Sequence, residues 1–160
     1  PTSLATPAGV ARIDVVSAAD MAEAVFARVG DADVFVAVAA VADYRPAQAH
    51  ERKMKKKAET LSIVLEPTVD ILATVAARRD APYCVGFAAE SHDVEKHGEE
   101  KRRRKKLGLL VANRAQDALG ADDNEVTILD AEGAHALPRM DKLALAHRLV
   151  AEIAARLPSR

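Results

Sequence analysis

Apolar and polar residues alternate along this chain in blocks whose lengths match strands and helices. The longest block of small and β-branched apolar residues, Val34 to Val41, predicts a strand buried on both faces of a sheet. Shorter apolar blocks bounded by turn residues predict the remaining strands. These strands cover Ala11–Val16, Leu61–Leu65, Tyr83–Ala88 and Leu109–Ala112, and a hairpin of Glu125–Leu129 and Ala134–Leu137 surrounds the turn sequence DAEG.

Helical periodicity fills the intervals between most of these strands. It predicts helices over Ala18–Arg28 (with Ser17 as the N-cap), Asp70–Arg78, Val94–Leu107 and Asp141–Leu157. Strands that alternate with helices are typical of an α/β fold, here a Rossmann-like parallel sheet with helices on both faces and an antiparallel C-terminal hairpin. We interpret residues 1–160 as a single domain.

Composition and charge narrow the range of functions. The net charge of −1 and the aromatic content of 3% argue against a nucleic-acid partner. The single cysteine, Cys84, cannot form an intrachain disulfide and is typical of a core thiol in a reducing compartment. No membrane span is predicted, because the longest apolar runs have only the length of strands. We therefore expect a cytoplasmic protein without a membrane partner.

The end of the central apolar block carries candidate binding residues. Asp43 follows it after one residue, and a polar loop then brings Lys53, Lys55, Lys56 and Lys57. Open α/β sheets bind ligands at the carboxyl ends of their strands, and a carboxylate followed by several lysines suits a nucleoside triphosphate. The alternative interpretation is a surface acid that caps a turn or pairs with Arg45, beside a solvated lysine loop.

The sequence KRRRKK at Lys101–Lys106 allows two interpretations. A basic run of this kind is usually a solvated helix face, and Glu95, Glu99 and Glu100 are spaced to support it. Lys101 and Lys105, however, lie one helical turn apart on one face and together could hold a polyphosphate.

Other candidate side chains give weaker indications. Phe87 ends a buried strand and could pack against a base or sugar, although core packing is the simpler interpretation. The five histidines are scattered along the chain, so the sequence assigns no metal ligands and a structural zinc site is not expected.

The seven glycines do not form a phosphate-binding motif. Neither GxGxxG nor GxxxxGK[ST] occurs, which argues against a dinucleotide-dependent oxidoreductase. A glycine loop that belonged to this fold would have to lie before Pro1.

Several segments together resemble the phosphopantothenate–cysteine ligase family, the CTP-dependent synthetase domain of bacterial coenzyme A biosynthesis. The segments that match in order and spacing are AAVADYRP (39–46), KMKK (53–56), VDIL (69–72), VGFAAES (85–91), KRRRKKLGLLVAN (101–113) and DDNEVTIL (122–129). The resemblance extends from about Leu4 to the C-terminus.

This resemblance implies a reaction in two steps. The carboxylate of 4′-phosphopantothenate attacks the α-phosphate of CTP, which gives an acyl-cytidylate and pyrophosphate. The amine of L-cysteine then displaces CMP and forms 4′-phosphopantothenoylcysteine. Mg²⁺ accompanies the triphosphate, whereas FMN belongs to a fused decarboxylase domain that this chain lacks. Related ligases use ATP, so the choice of nucleotide stays open.

The resemblance also assigns roles to individual residues. Ala37, Val38 and Ala39 would offer backbone groups to cytosine, Asp43 would bind the ribose, and Lys53 would act catalytically on phosphate or the acyl carbonyl. The rest of the nucleotide site would comprise Val69, Asp70, Ile71, Leu72, Phe87, Lys101 and Lys105. Family members form homodimers, and the C-terminal hairpin is a reasonable place for sheet extension between subunits.

Some positions depart from the family pattern. Gly108 and Arg114 stand where aspartate is common, and Pro67–Val69 replaces a usual Lys-Asn-Pro. The glycine-containing phosphate loop and the SNxSSGxMG motif of the family are not in this sequence. We therefore expect most of a ligase domain; the alternative is a catalytically incomplete nucleotide-binding module or regulatory partner of the same fold.

Overall fold

The structure is a computed structural model that describes residues 3–48, 60–118 and 120–157. Its contacts group the chain into two compact units. The first comprises Pro1–Ala27 and Ala40–Ile71, and the second comprises Arg28–Ala39 and Leu72–Arg160.

The first unit contains one helix and a small antiparallel sheet. Helix α1 (Ala18–Phe26) begins at Ser17, as the sequence predicts, and a capping box holds its first turn. Asp20 donates its backbone N–H to Ser17 Oγ over 3.1 Å, and Ser17 donates its own N–H to the Asp20 carboxylate over 2.9 Å. Strands β2 (Tyr44–Pro46) and β3 (Leu65–Pro67) pair antiparallel.

Two strand predictions in the first unit are wrong. Ala11–Val16 forms no strand, and Val16 remains 91% exposed. Of the predicted strand Leu61–Leu65, only Leu65 is in a strand, and its partner is β2 rather than the main sheet. An apolar run becomes a strand only where another strand offers it backbone partners, and an isolated pattern does not reveal that partner.

The second unit is built on a five-stranded sheet. Its strands are β1 (Val34–Ala37), β4 (Tyr83–Glu90), β5 (Leu109–Arg114), β6 (Asp123–Leu129) and β7 (Ala134–Asp141), in the spatial order β1-β4-β5-β6-β7. The helices are α2 (Ile71–Ala76, whose first residue is grouped with the first unit), α3 (Val94–Lys105), α4 (Ala115–Ala118) and α5 (Lys142–Ala155), and a 3₁₀ turn covers Val29–Asp31. Strands β1, β4 and β5 are parallel, and β6 and β7 continue the sheet antiparallel. The predicted fold class is confirmed.

Helices cover both faces of this sheet. On one face, α5 packs Leu145, Leu149 and Ile153 into a core with Leu109 and Ile128 of the strands. On the other face, α3 lies so close to the sheet that a Cβ on its Gly98 would lie 3.3 Å from Ala112 Cβ. The core consists mainly of aliphatic residues, in agreement with the low aromatic content.

Strand β1 is shorter and less buried than the sequence predicts. It ends at Ala37 rather than Val41, and Val36 and Val38 are 41% and 61% exposed. The reason is its place in the sheet, because among the described residues β1 pairs with β4 on one side only. The described residues contain no helix that is both long enough and apolar enough to cross a membrane.

Candidate functional site

The carboxyl ends of three parallel strands lie side by side in the second unit. Ala37 of β1 is level with Gly86 of β4, and Glu90 at the end of β4 is level with Arg114 at the end of β5. Val38 and Ala39 follow β1 and are exposed, so their backbone groups are accessible. In an α/β sheet this edge is where ligands bind.

Helix α2 packs over the first part of this edge. A Cβ on Gly86 would lie 2.9 Å from Leu72 Cδ2, so the side chain of Leu72 rests directly on the Gly86 backbone. Since Gly86 is level with Ala37, two predicted site residues are held close together by β1, β4 and α2. Gly86 tolerates this approach because it has no side chain.

Lys101 of α3 is tied to the end of β4. Its Nζ donates to Glu90 Oε1 over 2.7 Å, and both side chains are largely covered. The pair places a lysine ammonium at the ligand-binding edge and neutralises part of its charge. Lys105 lies one turn further along the same helix and is half-buried. Glu90 was not among the predicted site residues, although an acid at the end of a buried strand is the same signal that singled out Asp43.

The neighbouring arginines of α3 have a structural role instead. Glu99 accepts hydrogen bonds from Arg102 Nε over 2.7 Å and from Arg103 Nε over 2.5 Å. The hydrogen bond from Arg102 is the main cause that lowers the pKa of Glu99 to about 2. Arg103 is exposed and fits the solvated-helix interpretation of the basic run, whereas Arg102 is largely covered by protein.

Phe87 packs against the aliphatic core of the second unit and is half-buried. That position supports the simpler interpretation of the side chain as part of the core. Its predicted role beside the base or sugar stays a prediction.

The first unit brings Asp43 close to the segment that begins α2. Thr68 donates its backbone N–H to the Asp43 carbonyl over 2.9 Å, and its hydroxyl donates to the carbonyl of Ala42. Val69, Asp70 and Ile71 follow Thr68 directly. The hydrogen bonds of Thr68 therefore hold Asp43 near the start of this predicted site segment. Asp43, Val69 and Asp70 are exposed, and Ile71 is buried.

The alternative pairing of Asp43 with Arg45 is wrong. Arg45 forms its salt bridge with Glu66 on the adjacent strand, at 2.7 Å. Among the described residues, none makes a salt bridge with the Asp43 carboxylate. The catalytic lysine predicted at position 53 lies outside the described residues, as do the other lysines of that loop.

A large cavity of the second unit also reaches the carboxyl end of β5, where Asn113 and Arg114 line it. It has a volume of about 1140 Å³ and lies between the start of α3 and the β6–β7 hairpin, where Glu99, Asn113 and Asp130 are among the lining residues. It contains none of the predicted nucleotide-binding residues.

The turn between β4 and α3 and the first turn of α3 together contain a cluster that the spacing of the histidines did not indicate. One ligand atom each of His92, Asp93 and His97 lies within 4.8 Å of the others. The sequence assigned no metal ligands, and the structure brings these three potential ligands together. The described residues contain no comparable cluster made of carboxylates alone.

The fold and the polar groups at its strand ends define the class of this protein, an α/β protein of the Rossmann-like type. Its sequence matches the family described as the DNA/pantothenate metabolism flavoprotein C-terminal domain over residues 1–157. The chain therefore belongs to this family.

Relatives that share much of its sequence carry one name. The chain is 42% identical over 159 residues to the coenzyme A biosynthesis bifunctional protein CoaBC of Vibrio vulnificus strain YJ016. The matched region is 96% of this chain and 40% of that relative. The chain is 42% identical over 160 residues to CoaBC of Bacillus subtilis strain 168, with coverage of 97% and 39%. The chain thus spans about 40% of the length of these relatives.

A solved structure supports the same relationship. The crystal structure of the C-terminal domain of a CoaBC protein superposes with a TM-score of 0.78 at 36% identity. The superposition covers 69% of that crystallised chain and 96% of this chain.

Proposed function

We propose that this chain is the ligase part of coenzyme A biosynthesis, which joins 4′-phosphopantothenate to L-cysteine and uses CTP through an acyl-cytidylate. The observation that carries the proposal is its membership of a family whose relatives are named as coenzyme A biosynthesis proteins, along almost the whole chain. The motif residues 85–90 lie on β4, which leads to the ligand-binding edge of the sheet.

The proposed chemistry asks the protein mainly to position groups and to neutralise charge. In the first step, an oxygen of the substrate carboxylate forms a bond to the α-phosphorus of CTP, and the bond to pyrophosphate breaks. In the second step, the cysteine nitrogen forms the amide bond, CMP leaves and the amine loses a proton. Neither step needs an oxidant or a reductant.

Within this proposal each predicted residue has a defined task. Backbone groups of Ala37, Val38 and Ala39 recognise the base, and Asp43 accepts hydrogen bonds from the ribose. Lys53 neutralises charge on the phosphate or acyl oxygen during attack. The remaining contacts to the nucleotide come from Val69, Asp70, Ile71, Leu72, Phe87, Lys101 and Lys105.

Mg²⁺ fits this set of residues as a companion of the nucleotide. Mg²⁺ prefers oxygen ligands and is usually held by one or two carboxylates together with substrate phosphates. Bound in this way, it would supply positive charge to neutralise the triphosphate. The exposed carboxylates Asp43 and Asp70 suit this mode of binding better than a cage built from protein alone.

Binding of CTP and 2′-deoxy- and 3′-deoxy-CTP to the Asp43→Asn variant tests the ribose contact. A hydrogen bond to a carboxylate contributes about 1.5–3 kcal/mol, so wild type should lose about tenfold or more in affinity for at least one deoxy analogue. Asp43→Asn should lose most of that discrimination. Glu23→Gln, which removes an exposed carboxylate of α1, is the matched control and should retain it. Equal discrimination in all three proteins would remove Asp43 from the ribose site.

The catalytic assignment is tested by turnover. Lys53→Gln should abolish formation of 4′-phosphopantothenoylcysteine and leave the circular dichroism spectrum and the thermal unfolding midpoint unchanged. Near-normal turnover in this variant would exclude Lys53 from the mechanism. If nucleotide binds but neither protein catalyses ligation, the alternative of a catalytically incomplete nucleotide-binding module is favoured.

We further propose that two copies of the chain associate through the C-terminal hairpin. Among the described strands, β7 has a partner on one side only. Pro138 lies within β7 and has no N–H, so strand addition would depend on Ala134–Leu137. Sedimentation equilibrium should give twice the mass of 17.1 kDa. A monomer at all concentrations would contradict the proposal.

A further inference from the structure

Two histidines and one aspartate lie close together where β4 is joined to α3: His92 and Asp93 are in the turn, and His97 is in the first turn of α3. Ligand atoms of His92, Asp93 and His97 all lie within 4.8 Å of one another, and the two imidazole rings meet edge to face with centroids 4.9 Å apart. His92 and Asp93 are exposed and His97 is half-buried. None of the three belongs to the set of residues proposed for nucleotide binding.

The backbone at Asp93 brings the histidines together. Asp93 has φ 46° and ψ 46°, in the left-handed region that residues other than glycine rarely adopt. It stands at the N-cap of α3, where an aspartate usually accepts a hydrogen bond from the first turn, yet its side chain makes no such capping bond. Strained residues of this kind occur preferentially at ligand-binding sites.

Hydrogen bonds prepare both imidazoles for metal binding. His97 Nδ1 lies 3.1 Å from the carbonyl oxygen of His92. Because a carbonyl only accepts, Nδ1 carries the hydrogen, and the neutral ring presents the lone pair of Nε2. His92 Nδ1 lies 2.8 Å from Ser91 Oγ, which can accept a hydrogen bond from the same tautomer. Metal-binding histidines are usually oriented by such a bond from their second nitrogen.

We propose that His92, Asp93 and His97 form a binding site for a divalent transition metal ion of the Zn²⁺ type. Bond lengths of about 2.0–2.2 Å place the ligand atoms of such an ion roughly 3–3.5 Å apart. Small rotations of the exposed His92 and Asp93 side chains would bring the ligand atoms, which now lie within 4.8 Å of one another, to this separation. Two imidazoles and one carboxylate select borderline metals such as Zn²⁺ over Mg²⁺, and water completes the coordination because the site is open.

Charges of both signs lie near the three residues, and Lys96 of α3, directly before His97, would oppose a bound cation. The positive end of the α3 dipole opposes it by roughly 0.3–1 kcal/mol. The formal charge of Asp93 lies in the site itself, and Glu95 in the first turn of α3 adds a second negative charge. A bound ion would cross-link residues on both sides of the turn that connects Glu90 to α3. The site is independent of the proposed ligase activity.

The experiment is a Co²⁺ titration of the full 160-residue chain, followed by visible absorption and by competition with Zn²⁺ and Mg²⁺. Wild type should bind one equivalent of Co²⁺, which Zn²⁺ displaces and Mg²⁺ does not. His97→Gln should weaken binding by about tenfold or more, since loss of a direct ligand costs at least as much as loss of an outer partner. Asp93→Asn should also weaken it, and asparagine tolerates the left-handed conformation, so the turn is retained.

His147→Gln is the matched control, because His147 is an exposed histidine on α5. It should leave the titration unchanged, and Zn²⁺ should raise the thermal unfolding midpoint of this control and of wild type but not of His97→Gln. Equal binding by His97→Gln and His147→Gln would overturn the proposal, as would displacement of Co²⁺ by equimolar Mg²⁺.

Discussion

Asp130 offers a quantitative test of the packing between the C-terminal hairpin and α5. It is a buried charged residue, 7% exposed, at the start of the turn between β6 and β7. Its Oδ2 accepts a hydrogen bond from Arg156 Nε over 2.7 Å, and its Oδ1 accepts from the backbone N–H of Glu132 over 2.8 Å. His135 Nε2 lies 3.2 Å from the same Oδ1. The carboxylate therefore connects the hairpin turn to the residue that ends α5.

These contacts set the direction and size of a pH effect. Burial raises the pKa of Asp130, but the hydrogen bonds from Arg156, the Glu132 amide and His135 more than offset it and lower the pKa to about 2. The ordinary value is 3.8. A difference of roughly two pKa units corresponds to about 2 kcal/mol of stability. Because the folded-state pKa is depressed, this stability is fully present above about pH 4 to 5 and is lost as the pH falls towards 2.

Asp130→Asn should therefore lower the free energy of unfolding by about 2 kcal/mol or more at pH 7, and the difference from wild type should shrink as the pH falls to about 2.5. Urea denaturation at a series of pH values measures this difference directly. Glu132→Gln is the matched control: it removes an exposed carboxylate from the same turn and should change stability by less than about 0.5 kcal/mol. A difference between Asp130→Asn and wild type that stays constant from pH 7 to 2.5 would refute this reasoning.

Three further substitutions test packing and capping by urea denaturation. Gly98→Ala should destabilise the protein by about 1–3 kcal/mol through overpacking against Leu129, although alanine favours an isolated helix by about 1 kcal/mol; a more stable variant would contradict the close packing of α3. Gly108→Asp restores a residue that is common in the family, but the new Cβ would lie 2.8 Å from Tyr83 Cζ. We therefore expect the free energy of unfolding to fall by about 1–3 kcal/mol, and the added Tyr83→Ala substitution should relieve this clash in the double variant. Ser17→Ala should cost about 1 kcal/mol and Ser17→Asp should not, and equal stabilities would show that the cap of α1 contributes nothing.

Features encoded by local sequence could be predicted well. Ser17 marks the start of α1, the DAEG turn joins β6 to β7, and the apolar periodicity of α5 indicates its buried face. In each case the residues that carry the sequence signal lie within, or within a few residues of, the element that they predict. The parallel core was predictable for a related reason, since strands alternate with helices along the chain.

Features that depend on distant partners could not be predicted. Ala11–Val16 has the composition of a strand but no strand pairing, and β3 belongs to a small separate sheet. The sequence does not show that Gly98 is a position where α3 packs tightly against the sheet. A sequence pattern records that a residue is apolar or small, and not which surface approaches it.

The candidate site also combines residues that could be predicted with contacts that could not. Asp43 and Lys101 could be singled out because each lies at a strand end or on a basic helix face, and both positions are consistent with the fold. The Lys101–Glu90 ion pair was not predictable, because its partners are separated by a turn of unusual shape. The cluster of His92, Asp93 and His97 was missed for that reason too, since the left-handed backbone at Asp93 gives the turn its shape.

Isothermal titration calorimetry of the 160-residue chain with CTP and with ATP, in the presence of Mg²⁺, is the most direct test of the proposed CTP-selective site. We expect saturable binding of CTP that is at least about tenfold tighter than that of ATP, a difference of about 1.4 kcal/mol in binding free energy. Equal affinities, or no binding of either nucleotide, would contradict this expectation.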